Sequence, residues 1–219
     1  MLASQVFKLV STTLQDIEAG IASRWPWDST STTSLCLLDV LNASVRAIAA
    51  MRPDVTAKTE AVKLSSGMRQ SIPDDAVLFL GLVRNMGQDG ETDGTAIERV
   101  DKAFLLAWAD MSRTGVVVEN YAYDRMTDRS KYFVYPPVAA NTDVYVEAMY
   151  TVEPVALTVS TQEVPLDGRY EQALFHHMLA SILGGDNESS NATQAAYHLQ
   201  AFSQAMTSKG EVDSSWPTA

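Results

Sequence analysis

The sequence predicts an α+β fold in which two helices at each end of the chain form a four-helix bundle and hold an inserted β-rich module. Near both ends, apolar residues recur at three- and four-residue steps, which is typical of helices with one buried face. In residues 55–167, short runs of Val, Tyr and Phe alternate with turn residues, which is typical of antiparallel strands. Each helical pair has one apolar face, so the economical arrangement packs the two pairs together.

The N-terminal pair of the bundle is predicted over residues 1–54. Its first helix covers residues 3–22, and a loop follows it. The second helix begins at Leu37 and stops before Pro53, because proline lacks a backbone N–H and disfavours a helical conformation at the preceding residue. The apolar stripe of the first helix consists of Val6, Val10, Leu14, Ile17 and Ile21.

The insertion, residues 55–167, is predicted to be mainly β. Residues 76–83 (AVLFLGLV) form a continuous apolar run that is too short for an ordinary helix, so we expect a buried strand. Residues 96–111 have apolar residues at helical steps and are predicted to be a helix that ends at Gly115. Three further strands are expected to pair as an antiparallel meander, and they cover residues 116–123, 131–135 and 144–152.

The C-terminal pair of the bundle is predicted over residues 168–208. Its first helix ends at Gly184-Gly185, because glycine commonly terminates helices. Its second helix covers residues 190–208 and carries Ala195, Leu199, Phe202 and Met206 in one line. The tail, residues 209–219, is mostly polar and is expected to be flexible.

The charge balance argues against a protein that grips nucleic acid. The 219 residues carry a formal net charge of -11, and the pI is about 4.6. Affinity for DNA depends largely on Lys and Arg that displace counterions from phosphates. An acidic surface remains compatible with a conduit, because a wall past which DNA slides should not bind it.

Cysteine content and hydropathy indicate a reducing compartment and no membrane association. Cys36 is the only cysteine, so an internal disulfide is impossible. The first twenty residues lack the basic start and apolar run of a secretory leader. No stretch approaches the ~18 apolar residues of a membrane span.

The histidines do not predict a metal site. His176 and His177 are adjacent, so on a helix they point about 100° apart and cannot act as an i, i+4 ligand pair. His198 could approach His177 across the bundle, although core packing is the favoured interpretation. The sequence contains no phosphate loop and no convincing nucleophile with a base. We therefore predict no catalytic, cofactor-binding or metal-binding residues.

Residues 89–94 (DGETDG) resemble the first half of a calcium-binding loop. Alternate carboxylates followed by glycine direct oxygen atoms inward in such loops. The twelfth position, where such loops place a bidentate Glu, is Val100. A solvated acidic loop is therefore favoured over a calcium site.

Three tryptophans are candidates for contact with a partner. Trp25 and Trp27 flank a proline in a loop, and Trp216 lies in the tail, whereas Trp108 belongs to a helical stripe and is expected in the core. Large apolar rings in exposed segments are enriched at protein contacts, although local docking is an equal alternative for these three. The predicted partner interface consists of Trp25, Trp27, Met206, Val212 and Trp216.

An ordered set of short segments resembles the head-to-tail adaptor proteins of tailed bacteriophages, and the likeness covers nearly the whole chain. Each segment alone is weak, and the order carries the resemblance. The segments are Arg24-Trp25, residues 37–42 (LLDVLN), residues 51–54 (MRPD), residues 67–70 (GMRQ), Ile72-Pro73, Arg84-Asn85, residues 133–138 (FVYPPV), and a final helix with Tyr197, residues 199–201 and Phe202.

The resemblance implies a structural virion protein that is made in the host cytoplasm. Proteins of this kind form a ring of twelve copies that docks under the portal at the capsid vertex and presents a platform to the tail or its nozzle. DNA passes through the ring without specific binding. The resemblance supplies no catalytic residues, no cofactor and no membrane contact.

Two other classes of function remain open at this point. The first is a monomeric binding module that recognises one cellular or viral partner. The second is a small carboxylate-dependent hydrolase, for which Glu98 and Asp101, on one helical turn, are the nearest candidates. A solvated helix face explains these two carboxylates more simply.

Overall fold

The computed structural model describes residues 1–15, 25–28, 35–110, 112–185 and 190–214, except for the side chains of Trp108 and residues 208–214. The α+β class is confirmed. The helices are α1 (Ala3–Thr13), α2 (Leu37–Met51), α3 (Lys102–Trp108), α4 (Glu171–Gly184) and α5 (Ala192–Ser214). The strands are β1 (Ala57–Lys63), β2 (Gly67–Ser71), β3 (Ala76–Asn85), β4 (Glu98–Arg99), β5 (Asn120–Ala122), β6 (Lys131–Val138) and β7 (Tyr145–Val152).

The chain divides into two compact units. The helical unit contains Met1–Val55 and Pro154–Ala219, and the β unit contains Thr56–Glu153. In the helical unit, α4 lies against α1, α2 and α5. All four helices contribute to one apolar core, which includes Val6, Val10, Leu41, Ile48, Leu174, Met178, Phe202 and Met206. The shared core agrees with helical pairs that pack together, and the four-helix bundle arrangement itself stays a prediction.

The helices of the helical unit differ from the predictions mainly at their ends. Helix α1 ends at Thr13, so the prediction of residues 3–22 is too long. The hydroxyls of Thr12 and Thr13 donate to carbonyl oxygens four residues earlier, and residues of this type favour helix ends. The predicted apolar positions Ile17 and Ile21 lie outside the described residues. Helix α2 is confirmed, and it ends before Pro53.

Of the two predicted ends of the C-terminal helices, one is confirmed and the other is wrong. Helix α4 ends at Gly184, as predicted. Helix α5 continues through Ser214, so the predicted end at residue 208 is wrong, and residues 209–214 of the expected flexible tail are helical. The segment contains Gly210, Val212 and Asp213, which have low helix propensity, so its helical continuation could not be read from local propensity.

The β unit contains two sheets and no continuous meander. One sheet has the strand order β1-β7-β3, and the other has the order β2-β6-β5-β4. Strands β5 and β6 pair antiparallel as predicted, but β7 joins the other sheet. The reason is that β2 and β5 already occupy both edges of β6, which leaves no edge for β7.

Two local predictions in the β unit need correction. Residues 96–111 do not form one helix, because they include β4, and α3 begins only at Lys102. Asp101 caps α3 by accepting hydrogen bonds from the backbone N–H groups of Ala103 and Phe104. Gly115 ends no helix and forms a bridge to Val138. The predicted strand 76–83 is confirmed within β3, although its burial varies along the strand and Val77 is 67% exposed.

Candidate interaction surfaces

The segment Trp25–Asp28 is docked on the helical unit at the start of α2. The carbonyl oxygens of Pro26 and Trp27 accept hydrogen bonds from the N–H groups of Leu37 and Leu38, at 2.9 and 3.1 Å. These bonds satisfy two of the N–H groups that a helix start leaves without an intrahelical partner. The Asp28 carboxylate accepts two more hydrogen bonds from Ser160, from its N–H at 2.6 Å and from its hydroxyl at 2.7 Å.

The two tryptophans of this segment are partly covered within the chain. Trp25 is half-buried and packs against the core of the helical unit. The indole Nε1 of Trp27 donates a hydrogen bond to Ser11 Oγ at 3.3 Å, and its ring centroid lies 5.9 Å from that of Phe7. Trp27 keeps 38% of its surface exposed. Contacts within the chain therefore cover part of each tryptophan ring, and the exposed part of the Trp27 ring remains available to a partner.

The other three residues of the predicted interface have different positions. Met206 is only 4% exposed and belongs to the core of the helical unit, so the folded chain offers almost none of its surface to a partner. The backbone of Val212 lies in α5, and its side chain is not described. Trp216 lies outside the described residues. The roles of Val212 and Trp216 therefore stay predictions.

Other apolar side chains of the helical unit are exposed and were missed as interface candidates. Leu199 was assigned to the buried stripe of its helix, but it is 56% exposed, and Tyr197 is 64% exposed. The signal was ambiguous, because Leu199 lies one turn from the buried Phe202. A 3.6-residue period does not show where the edge of a buried stripe lies.

The histidines pair differently from the prediction. His198 Nδ1 lies 2.9 Å from Nδ1 of His176 rather than near His177. His177 Nδ1 instead lies 2.8 Å from Ser44 Oγ, and its ring packs on Phe202. Burial lowers the pKa of all three histidines, and the neighbouring His176 lowers the pKa of His198 further. These contacts place the histidines in the packing between helices.

No group of three His, Cys, Asp or Glu side chains that could hold a metal ion occurs among the described residues. In the calcium-like loop, the Asp89 carboxylate accepts hydrogen bonds from the N–H groups of Glu91 and Thr92, both at 3.0 Å, and from the Thr92 hydroxyl at 2.7 Å. These bonds lower the pKa of Asp89 to about 2. Asp93 forms an ion pair with Arg84 at 2.7 Å. Two of the three carboxylates thus stabilise the loop itself.

The hydrolase candidates do not share a helical turn. Glu98 lies in β4 and is exposed, whereas Asp101 uses its carboxylate to cap α3. The predicted geometry for this pair is therefore wrong. Helix formation begins only after the capping residue, which the apolar periodicity of residues 96–111 did not reveal.

A cluster of cations lies at one end of the β2-β6-β5-β4 sheet. Strand β4 is parallel to β5, so the segments that follow these two strands leave the sheet at the same end, where the β5-β6 loop also lies. We call this surface the cationic end, and its members are Arg99, Lys102, Arg125 and Arg129. Among the described residues, these four cations form no ion pair with a carboxylate.

The carboxylates near the cationic end are held by local hydrogen bonds. Asp101 caps α3, and Asp124 accepts from the Met126 N–H at 3.0 Å and from the Thr127 hydroxyl. Asp128 pairs with Arg69 at 2.9 Å and accepts from the Ser130 N–H. These bonds lower the pKa of Asp124, and they lower that of Asp128 to about 2. Arg99, Arg125 and Arg129 are exposed, whereas Lys102 is half-buried and its charge also lowers the pKa of Asp124.

An open groove of about 700 Å³ lies at the cationic end. Arg99 and Lys102 line it, together with Leu106 and Tyr123. The Arg99 guanidinium donates a long hydrogen bond to the Tyr123 carbonyl at 3.5 Å, and the Lys102 ammonium lies 5.1 Å from the centre of the Phe133 ring.

None of the helices in the described part of the chain is long and apolar enough to cross a membrane.

The described part of the chain combines helices around one core, a two-sheet unit, and exposed apolar and charged surfaces that are suited to contacts with other proteins. The family model described as SU10 adaptor protein matches residues 1–219, and the chain therefore belongs to this family of phage adaptor proteins. Membership indicates a virion component with a structural role that contacts other head or tail proteins. No match to a curated protein was found.

Proposed function

We propose that this protein is a head-to-tail adaptor that forms a ring of twelve copies under the portal, joins the capsid vertex to the tail and lets DNA pass. The observation that carries the proposal is the family match over residues 1–219. The partners are further copies of the chain, the portal protein and a tail or nozzle protein. The chain is made in the host cytoplasm and becomes part of the neck of the virion.

The two units suggest a division of work within the ring. Residues 1–54 and 168–208 form a four-helix bundle that builds the ring wall, which is supported by the single core shared by α1, α2, α4 and α5. Residues 55–167 form the extension that contacts the tail. Side-to-side contacts in a closed ring use two different surfaces of each copy, so each copy must offer two complementary patches.

The charge of the chain supports passage of DNA without binding. A net charge of -11 per copy gives a ring a strongly negative potential, which disfavours adhesion of phosphates to its walls. DNA can then slide through the opening with little friction. No base-specific contact is part of the proposal.

Contacts with the portal or with a neighbouring copy involve the exposed face of Trp27 and the C-terminal segment. Trp27 is held by Ser11 and Phe7, so its exposed face is presented in a fixed orientation, which lowers the entropic cost of binding. Trp25 supports the same segment, and Val212 and Trp216 provide further apolar side chains. Met206 contributes only through the core beneath α5.

Labelled particles provide the test. A fusion tag or antibody on this chain, viewed by negative-stain microscopy of assembled particles, should mark one site between the capsid vertex and the tail. Averaged images of that site should show a ring with twelvefold symmetry. Label spread over the capsid, or particles that contain no label, would contradict the proposal.

One observation favours the alternative of a monomeric binding module. The segment Trp25–Asp28 forms its hydrogen bonds within the chain, so this part of the predicted interface is held in place without a second copy. Such a module would sediment as a monomer at all concentrations and would be absent from the neck of purified particles. An adaptor would be present there in a fixed number of copies.

A further inference from the structure

The strongest unassigned feature of the β unit is the cationic end on a chain that is otherwise acidic. Residues 98–103 and 123–131 contain one more positive than negative charge, whereas the whole chain has a net charge of -11. Arg99, Arg125 and Arg129 form no ion pair with a carboxylate among the described residues, and Lys102 acts on Asp124 without forming a close ion pair. Exposed cations that the chain does not pair are available to an acidic surface outside it.

Apolar side chains accompany these cations and favour a protein as the partner. Met126 lies in the same loop as Arg125 and is 94% exposed, and Leu106 is 45% exposed and lines the groove. Contacts with a phosphate backbone need cations but gain little from exposed Met or Leu side chains. Mixed apolar and Arg surfaces are typical of protein interfaces.

A complementary surface exists on the same β unit. Residues 88–94, which we call the acidic loop, contain three carboxylates and no cation. The hydrogen bonds of Asp89 close its turn, and Gly90 has a positive φ of 77° and lies against the Tyr145 ring. A loop that is already ordered loses little entropy on binding. Glu91 is exposed and forms no ion pair among the described residues, whereas Asp93 is exposed but paired with Arg84.

We infer that the acidic loop of one copy docks on the cationic end of its neighbour, so that opposite charges join adjacent copies around the ring. The inference rests on the proposed ring. A heterologous interface needs two different and complementary patches on every copy, and this pair satisfies that need. Copies that each carry -11 repel one another, and contact between opposite charges offsets part of this repulsion.

Two charge-reversed variants test the docking. Variant A carries Arg125→Glu and Arg129→Glu, and variant B carries Glu91→Lys. Asp89 is kept in variant B because it holds the turn, and Asp93 is kept because it pairs with Arg84. Self-association is measured by sedimentation velocity at low ionic strength. Each variant alone should associate at least about tenfold more weakly than the wild-type chain, because like charges then face each other.

Mixing the variants gives the decisive measurement. In an equimolar mixture, the acidic loop of A meets the unchanged cations of B, and the reversed loop of B meets the reversed patch of A. Association should therefore return to near the wild-type level in the mixture. It should also weaken as salt is raised, because the Debye length falls to about 8 Å at physiological ionic strength.

A control variant, Lys8→Glu with Arg46→Glu, changes the net charge as much as variant A but alters two exposed cations of the helical unit. It should associate like the wild type. Equal weakening by the control, or no recovery in the mixture, would overturn the inference. So would a wild-type chain that stays monomeric, or loss of duplex-DNA binding in variant A without any change in self-association.

These outcomes separate the two proposals. A wild-type chain that associates but ignores the charge reversals would remove the docking and leave the adaptor proposal intact. Particle images without a ring at the neck would remove the adaptor proposal, whatever the variants do in solution.

Discussion

The side chain of Asn85 should be one of the most important polar groups in the β unit. It lies at the end of β3 and is 5% exposed. Its Nδ2 donates to the Val118 carbonyl at 2.8 Å, and its Oδ1 accepts from the Val118 N–H at 2.8 Å. Nδ2 also donates to the Thr95 carbonyl at 3.0 Å. The amide thus ties two segments of the unit to β3.

Replacing Asn85 by Ala would leave the Val118 N–H and carbonyl without this partner. The Thr95 carbonyl would keep its bond from the Asn85 backbone N–H at 2.9 Å. The Thr95 hydroxyl would lose a bond at 3.1 Å but is exposed to water, so only the two backbone groups of Val118 are left buried without this partner. An unsatisfied buried polar group costs about 1–3 kcal/mol, and two of them therefore cost about 2–6 kcal/mol of unfolding free energy.

Urea denaturation followed by circular dichroism would measure this loss of unfolding free energy. Hydrogen exchange would show a faster exchange rate at the Val118 amide. Asn42→Ala is the matched control, because the Asn42 amide makes the same pair of bonds to the backbone of Leu157, both at 2.9 Å. Asn42 is half-buried, so water can replace its bonds, and the expected loss is about 1 kcal/mol. A loss below about 1 kcal/mol for Asn85→Ala would refute this reasoning.

Three further predictions concern the helical unit. Burial lowers the pKa of His176, His177 and His198 below the usual 6.5, so the unfolded state binds more protons and stability should fall as pH drops below 6.5. Replacing His176 and His198 by Gln should weaken the pH dependence measured in urea melts, and the part due to His177 should remain. Met206→Ala should cost about 2–5 kcal/mol in thermal unfolding, against under about 1 kcal/mol for the exposed Leu199→Ala. Deleting residues 209–219 should abolish portal docking in a pull-down, and undiminished docking would remove the proposed role of this segment.

Local periodicity predicted the helices best, because the buried face of a helix is formed by apolar residues that repeat within one continuous segment of the sequence. Helix α2 and the end of α4 at Gly184 followed directly from the sequence. Helix α3 was predicted too long, because the apolar spacing of residues 96–111 hides the cap at Asp101. The early end of α1 coincides with Gln15, whose positive φ of 56° terminates a helix and is rare for residues other than glycine, so the apolar spacing did not reveal it.

The sheets could not be predicted to the same extent, because strand partners lie far apart in the chain. The short β2 was not predicted as a strand, and its pairing with β6 is what excludes β7 from that sheet. The cationic end was also missed, since β4 and the β5-β6 loop meet only through the parallel pairing of β4 with β5. Trp27 was identified, but a sequence cannot show how much of its ring Ser11 and Phe7 cover.

The pairing of β1 with β7 also affects how this protein can change over evolution. Ala57 lies opposite Thr151, and the two strands stay paired as far as Lys63 and Tyr145. The first and last strands of the β unit therefore run side by side, and the chain enters and leaves the unit at neighbouring points. A unit whose end strands pair in the same way could replace this one by exchange of a single continuous segment, while the helical core remains unbroken.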